Sequence, residues 1–358
     1  MNLKDISRAR LKNQHIAGSK FNRANEVVSW MGAMQAQDFN MALWALGVRT
    51  SNSSEKMIRS AINEAEIIRT HVLRPTWHFV SSNDINWMLD LSAPRIRTAM
   101  KSRDRELGLT ENIFKKSRKI LETVLSDDNH LTREEIISEF KRAKIPVDNN
   151  RASHLFVRAE IDQIICSGRL KGKKQTYALL SERVKQPTIL KRDEALAELA
   201  KRYFTSHGPA TLDDFNWWSG LIRSEAKQAL EMAKPYFISE TIGDKTYWFS
   251  DSNSYLKVDK NQLHLLPAFD EFLISYKDRS ASIAEEDHKK AVSTNGIFRP
   301  VIVQDATVIG TWKRTINKEK VKLDIEFFNS ANTSDNNRIE KIFSSYGEFI
   351  DKKTLKVH

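Results

Sequence analysis

Residues 53–80 read SSEKMIRSAINEAEIIRTHVLRPTWHFV, and their periodicity changes halfway along. Met57, Ile58, Ala61 and Ile62 fall on one helical face behind Ser53 and Ser54 as capping candidates, which predicts a helix over 53–65. From Ile67 onward the chain is rich in β-branched and aromatic residues around Pro75, which predicts two strands and a turn. Upstream, Asn25 can cap NEVVSWMGAM, with Val27, Val28, Met31 and Met34 at helical spacing. A second apolar run, FNMALWALGV, follows Asp38. Three helices and then a β-hairpin is the order of a winged helix.

The same order recurs twice. Thr132 and Glu135 form a capping box at the start of LTREEIISEFKRA. ASHLFVRAEIDQIICSG, from Ala152 to about Ser167, suits a recognition helix, and RLKGKKQTYALL suits a wing with Gly172 in its turn. Further on, DEALAELAKRYFTSHG is a helix ending at Gly208, Thr211 caps LDDFNWWSGL, and SEAKQALEMAKPYF precedes a hairpin turning at Gly243-Asp244. The expected fold class is α+β, with three tandem winged-helix units followed by a C-terminal β-rich module. The boundaries are 1–81 for the first unit, 82–114 for a helical connector, 115–185 and 186–252 for the second and third units, and 253–358 for the last module. In the connector, Ser82 or Asn83 is the expected cap, and Pro94 is expected to break or kink the helix. In the last module, LHLLPAFDEFLISY, FRPVIVQDATVIGTWKRT and KLDIEFF have strand character, with a turn at Gln304-Asp305-Ala306 and a final helix over Ser334–Phe349.

The chain has 358 residues, 40% hydrophobic and 29% charged, which excludes disorder, collagen and coiled coil as the main architecture. Cys166 stands alone, so an internal disulfide and a cysteine-based zinc site are excluded, and a reducing compartment is implied. The first residues carry no apolar run of signal-peptide length, and no stretch approaches the ~20 apolar residues of a membrane span. A cytoplasmic monomer without membrane contact is expected. Lys and Arg number 57 against 46 Asp and Glu. The surplus is concentrated: residues 1–180 hold 30 basic and 20 acidic side chains, the remainder 27 and 26. A basic half beside a neutral half points to a polyanion, most commonly nucleic acid. Arg169, Lys171, Lys173 and Lys174 would neutralise phosphates from the second wing without reading sequence. A solvated basic surface is the plainer alternative. Trp217 and Trp218 suit a core or an interface better than base stacking.

Gln35 and Gln37 are polar residues in an apolar region. Positions i and i+2 diverge by about 200° on a helix, so the two side chains converge only if the helix ends near Met34. Gly32 weakens the helix, and Asp38 can cap the next one. Carboxamides do not ionise near neutrality, but they can hold a water or a sugar by hydrogen bonds. That suffices to cleave the glycosidic bond of a cationic alkylpurine, whose base leaves neutral without a general acid. The alternative is that both glutamines satisfy backbone groups at a helix end.

MQAQDFNMALWALGVR resembles the signature of the winged-helix DNA glycosylases of the AlkZ and YcaQ type, which carry a Gln-Φ-Gln or Gln-Φ-Asp motif at this place. THVLRPTWHFV, GPATLDDFNWWSGL, LLPAFDEFLISYKDR and GIFRPVIVQDATVIGTWKR also resemble family segments, in order along nearly the whole chain. The resemblance implies three winged helices embracing duplex DNA that contains alkylated purines. It further implies removal of N7-alkylated purines by a monofunctional glycosylase, with unhooking of interstrand crosslinks in some members. Gln35 and Gln37 would then be the catalytic pair that holds the attacking water, with a small Ala36 between them. No metal or organic cofactor is called for. Arg69 and Arg74 could bind phosphates flanking the lesion, and Thr70, His71, Thr76 and His78 could face the same cleft, although buried hydrogen-bonded histidines are an equal reading. His71 and His78 lack a third ligand for zinc. Asp270, Glu271, Asp278 and Arg279 fit an internal ion-pair network better than catalysis. Two competing readings are a non-catalytic DNA-binding protein such as a transcriptional regulator, and an RNA-binding or scaffold protein.

Binding of the basic half to duplex DNA should weaken with salt, with a slope near −0.9 per phosphate contacted. Fluorescence anisotropy in rising KCl measures it, and salt-independent binding, or none, contradicts the polyanion reading.

Overall fold

The computed structural model describes residues 1–250, 262–329 and 336–355. The chain begins with α1 (Leu3–Asn13), α2 (Ala24–Met31), β1 (Ala33–Gln35), α3 (Phe39–Arg49) and α4 (Glu55–Asn63). β2 (Ile67–His71) and β3 (Trp77–Ser81) follow, and β3 lies between β1 and β2 in a three-stranded antiparallel sheet. Gly32 takes φ +79, a conformation that favours glycine, and so releases the chain from α2 three residues before Gln35. Asp38 caps α3, its side chain accepting the Met41 N–H at 3.1 Å, and Ser54 caps α4. Two local expectations fail. α2 starts one residue before Asn25, with Arg23 at its cap, and Met57 lies 52% exposed instead of on the buried face.

α5 (Ile85–Glu106) runs unbroken through Pro94. Proline deprives the Asp90 carbonyl of one helical hydrogen bond, but Leu91 and Ala93 before it and Ile96 after it are all buried, which keeps the helix continuous across the defect. Asp84, not Ser82 or Asn83, occupies its cap position. α6 (Glu111–Val124), β4 (Leu131–Thr132), α7 (Arg133–Arg142), α8 (Arg151–Ile161), β5 (Ile165–Ser167), β6 (Thr176–Leu179) and α9 (Leu180–Arg183) come next, with β6 between β4 and β5. The Thr132–Glu135 capping box is present. α8 ends at Ile161 and not near Ser167, because Gln163 turns the chain at φ +60 and Ile165–Ser167 become β5.

α10 (Arg192–Ser206), α11 (Leu212–Ser219) and α12 (Arg223–Ala233) lead through a short turn of 3-10 helix into the hairpin of β7 (Ile238–Ile242) and β8 (Lys245–Phe249). Thr211 and Asp214 form the capping box of α11. The boundary expected at 252–253 and the expected start of the last helix at Ser334 lie outside the described residues. The C-terminal part is a five-stranded sheet in the order β13-β12-β11-β10-β9, built from β9 (Leu263–Leu266), β10 (Val301–Gln304), β11 (Thr307–Ile316), β12 (Lys320–Phe327) and β13 (Lys353–Leu355). Its helices are α13 (Glu271–Ile274), α14 (Glu285–Ala291) and α15 (Asn336–Phe349). LHLLPAFDEFLISY is strand only as far as Leu266. Pro267 and Phe269, at φ +59, then turn the chain, and Asp270 caps α13 by accepting the Phe272 N–H at 2.9 Å.

One apolar core joins α2 and α3 to the C-terminal sheet through Val27, Leu43, Trp44, Leu265, Trp312 and Tyr346. A second joins the first sheet to α5, α10 and α11 through Ile68, Val80, Trp87, Tyr203 and Trp218. β1 lies between them: Ala33 belongs to the second core, Met34 and Ala36 to the first. α3 is bolted to the C-terminal sheet by the Trp44 indole, which donates to the Leu265 carbonyl at 2.8 Å. Beside it, the buried Arg49 guanidinium donates to both Asp270 carboxylate oxygens at 2.9 Å and to Gln14.

Asp270→Ala should therefore cost about 3–5 kcal/mol, since it leaves Arg49 buried without its counter-charge. Urea unfolding measures this, and a loss under about 1 kcal/mol would show that the pair is not a structural bolt.

Candidate active site

β1 is an edge strand, so an N–H facing away from β3 needs a partner from elsewhere. For Gln35 that partner is the buried Glu271 carboxylate, which accepts the N–H at 2.5 Å. The Gln35 side chain is 6% exposed. Its carboxamide oxygen accepts from Arg74 Nη2 at 3.3 Å and Thr76 Oγ1 at 3.4 Å. Ala36 is fully buried in the first core and donates its N–H to the Trp77 carbonyl at 2.7 Å, so a small residue is what fits there. Gln37 is exposed. The two carboxamides are thus unlike: one is turned inward onto Arg74 and Thr76, the other lies at the surface.

Glu271 is fully enclosed. Burial alone would raise its carboxyl, but His207, Ser275 and the Gln35 N–H hold it well below the usual carboxylate range. The Ser275 hydroxyl donates to it, and His207 Nε2 lies 3.7 Å away.

β2 supplies structure where DNA contacts were expected. It packs against β5 of the next sheet, with the Arg69 N–H donating to Ser167 Oγ at 2.8 Å, so it is no free wing. Arg69 is 7% exposed, and burial draws its pKa down to about 10. Its guanidinium sits 4.1 Å above the Trp77 ring and donates to the carbonyls of Ala36 at 3.0 Å and Gln37 at 3.5 Å, and to the Gln175 side chain. Arg69 thus holds the glutamine segment. Thr70 is fully buried. His71 is buried and paired with the enclosed Glu160 carboxylate. His78 is fully buried opposite both Gln35 and Thr70, and its Nδ1 meets the Thr76 carbonyl at 2.9 Å. Arg74 and Thr76 are half-buried and turned to Gln35.

The second turn keeps its charge at the surface. Gly172, at φ +62, makes the turn, and Arg169, Lys171, Lys173 and Lys174 are all exposed. Arg169 pairs with Asp128 at 2.6 Å and Lys171 with Glu135 at 2.8 Å, exposed pairs that exchange cheaply for other anions. Lys173 and Lys174 have no ion pair among the described residues. Trp218 is core and Trp217 is 42% exposed, its indole donating to the Ile274 carbonyl at 2.9 Å. Asp270 pairs with Arg49 and Asp278 with Lys245, while Arg279 donates to the Leu273 carbonyl.

Two concavities are lined by residues that contact the glutamine segment, although Gln35, Ala36 and Gln37 themselves line neither. One of about 430 Å³ is lined by Arg69, Trp77, Arg133, Phe156, Lys174 and Tyr177, among others. The other, of about 390 Å³, is lined by Arg74, Pro75, Arg95, Asn216, Trp217 and Lys277, among others. Each contains one of the arginines that bond to the segment. Sequence reasoning missed Glu271 as the partner of Gln35. An adjacent acid pair inside an apolar stretch was the available signal. Among the described residues no three His, Cys, Asp or Glu side chains gather as a metal site, and no helix is long and apolar enough to cross a membrane.

Comparison with known proteins gives first the class, the DNA glycosylases, hydrolases of N-glycosyl bonds. Within that class the chain belongs to the family described as DNA glycosylase AlkZ-like, whose model matches residues 28–349. The interstrand DNA cross-link repair glycosylase of Streptomyces sahachiroi is 23% identical over 322 residues, covering 85% of each chain. The solved structure of Streptomyces sahachiroi DNA glycosylase AlkZ matches over 100% of both chains with a TM-score of 0.82 and 18% identity, a likeness of fold.

Burial first, and then Arg74, pushes the His78 imidazole down to about 3. An unfolded histidine titrates near ~6.5. The folded pKa is thus depressed, so the stability carried by neutral His78 is complete above ~6.5 and drains as pH falls toward 3. Between pH 7 and 5 this site should cost about 2 kcal/mol, a drop that His78→Gln abolishes in urea titrations at the two pH values. Equal pH slopes for both proteins would show that His78 is not buried neutral.

Proposed function

We propose that this protein hydrolyses the N-glycosidic bond of N7-alkylated purines in duplex DNA and unhooks interstrand crosslinks built on such bases, as a step of DNA repair. The observation that carries the reading is the Gln35-Ala36-Gln37 segment. Its backbone is clamped by Glu271, Trp77 and Arg69, and the two arginines that bond to it, Arg69 and Arg74, each line a concavity. The name of the Streptomyces sahachiroi relative as a cross-link repair glycosylase supports it.

In this reading the helix–sheet units over 1–81, 115–185 and 186–252 are winged helices, joined by the connector 82–114 and completed by the module 253–358. The chain works as a cytoplasmic monomer on duplex DNA. Lys173 and Lys174, with Arg169 and Lys171 once released from their exposed partners, contact phosphates. Alkylation has already placed a positive charge on the base. The C1′–N bond breaks with its electron pair going to the base, which leaves neutral. An oxocarbenium-like sugar forms, and water adds at C1′ and gives its proton to solvent. Gln35 and Gln37 orient that water, and the chemistry requires no metal or cofactor.

Gln35→Ala and Gln37→Ala should each slow release of N7-methylguanine from a duplex by roughly 10²-fold, while DNA affinity stays unchanged. Wild-type rates in both variants would make the pair structural. No release by the wild type from methylated or crosslinked DNA would establish the non-catalytic DNA-binding reading.

A further inference from the structure

The two glutamines do different jobs, and Arg74 with Thr76 decides which does what. This rests on the catalytic reading of the Gln35–Gln37 segment. An arginine side chain can only donate hydrogen bonds. Arg74 Nη2 lies 3.3 Å from Gln35 Oε1, so the carboxamide must present its oxygen to Arg74. Thr76 Oγ1, 3.4 Å from the same atom, supplies a second donor. A flipped amide would set an NH₂ against a guanidinium, donor against donor. Both acceptor positions of the Gln35 oxygen are therefore taken from inside the protein.

The other end of the amide is free. The Gln35 nitrogen makes no hydrogen bond among the described residues, yet it is not one of the buried side-chain atoms left without a partner. It reaches the surface, and there it can only donate. The backbone cannot swing to change this, because the Gln35 N–H is fixed on Glu271 at 2.5 Å. Arg74 is fixed as well, its guanidinium lying 5.8 Å above the Trp217 ring that Arg279 also covers at 5.6 Å. Gln37 differs: its carbonyl is bound by Arg69, while its side chain is exposed and makes no hydrogen bond among the described residues.

We infer that Gln35 is locked as a hydrogen-bond donor to the attacking water, and that Gln37 is the acceptor that orients the water's departing proton. Arg74 and Thr76 are positioning residues that set this polarity. A water attacking C1′ uses one lone pair for the new bond. Gln35 Nε2 donates to the other lone pair, and Gln37 Oε1 accepts from an O–H. As the C1′–O bond forms, the C1′–N pair leaves with the base and the water proton passes to solvent, so neither glutamine changes its protonation.

The test replaces each glutamine by an acceptor-only side chain and measures single-turnover release of N7-methylguanine from duplex DNA. Gln35→Glu should be as slow as Gln35→Ala, roughly 10²-fold below wild type, because no donor remains. Gln37→Glu should run at least about tenfold faster than Gln35→Glu, since an acceptor is kept. Arg74→Met should lower the maximal rate about tenfold with the half-saturating enzyme concentration unchanged, and Arg74→Lys, which keeps a donor, should recover most of it. Equal rates for the two Glu variants, or the reverse order, overturn the assignment. So does an Arg74→Met variant that changes half-saturation alone, which would make Arg74 a DNA contact. If Arg74→Met does not fold by thermal melting, the two Glu variants decide. Failure of the underlying reading shows separately, as wild-type rates in both Ala variants.

Discussion

Two neighbouring carboxylates govern the geometry of this protein. Asp270 takes the buried Arg49 of α3, and Glu271 takes the Gln35 N–H of β1. Both belong to the C-terminal part, and both reach more than 200 residues back along the chain. A few residues further on, the backbone N–H groups of Lys277 and Asp278 donate to the buried Asp214 of α11, at 2.9 and 3.1 Å. The segment 270–278 is therefore a spine that touches the first and third helical groups at once. Buried charges are expensive unless they are fully paired, and each of these is paired. Their value is positional: removing the C-terminal part would strand Arg49 and leave the Gln35 N–H without its acceptor.

That spine explains which features were legible in the sequence. Caps were readable where both partners are local: Thr132 with Glu135, Thr211 with Asp214, and Asp38 at α3. The break that frees the glutamines was readable too, because Gly32 ends α2 through its own φ. Residues whose surroundings come from far away were harder to read. Arg69 and Thr70 were expected to face a cleft, and His71 and His78 could equally face it or be buried. The packing of β2 against β5, about a hundred residues away, places Arg69, Thr70 and His71 in the interior, and His78 is buried beside them on β3. In the same way Asp270 and Glu271 were recognisable as structural acids, but nothing local could say that one of them holds Gln35.

The charge surplus of the N-terminal half reads differently once burial is known. Arg10, Arg49, Arg69 and Arg183 are buried and engaged inside the fold, so they contribute little to the surface field. What remains outside mixes lysine and arginine: Lys173 and Lys174 at the second turn, with Arg95, Arg97, Lys101, Arg103 and Arg105 along α5. Lysines act as point charges on flexible stems and suit backbone contacts better than bidentate base readout. The buried arginines do the framing, where five donors in a fixed fork can hold several carbonyls and carboxylates together.

The proposed reaction makes one further demand on this frame. Its substrate base is cationic and its sugar becomes cationic, so an unbalanced guanidinium beneath the water site would oppose the step it is meant to assist. Arg74 is not unbalanced. Glu271, held ionised by Ser275, His207 and the Gln35 N–H, stabilises the charge on Arg74 against its burial. The pair brackets Gln35, the cation at its carboxamide oxygen and the anion at its backbone N–H. Together they hold the glutamine from both ends, and the anion offsets the charge of the cation beside it. A neutral clamp built from opposite charges is the arrangement that orients a water without repelling a cation.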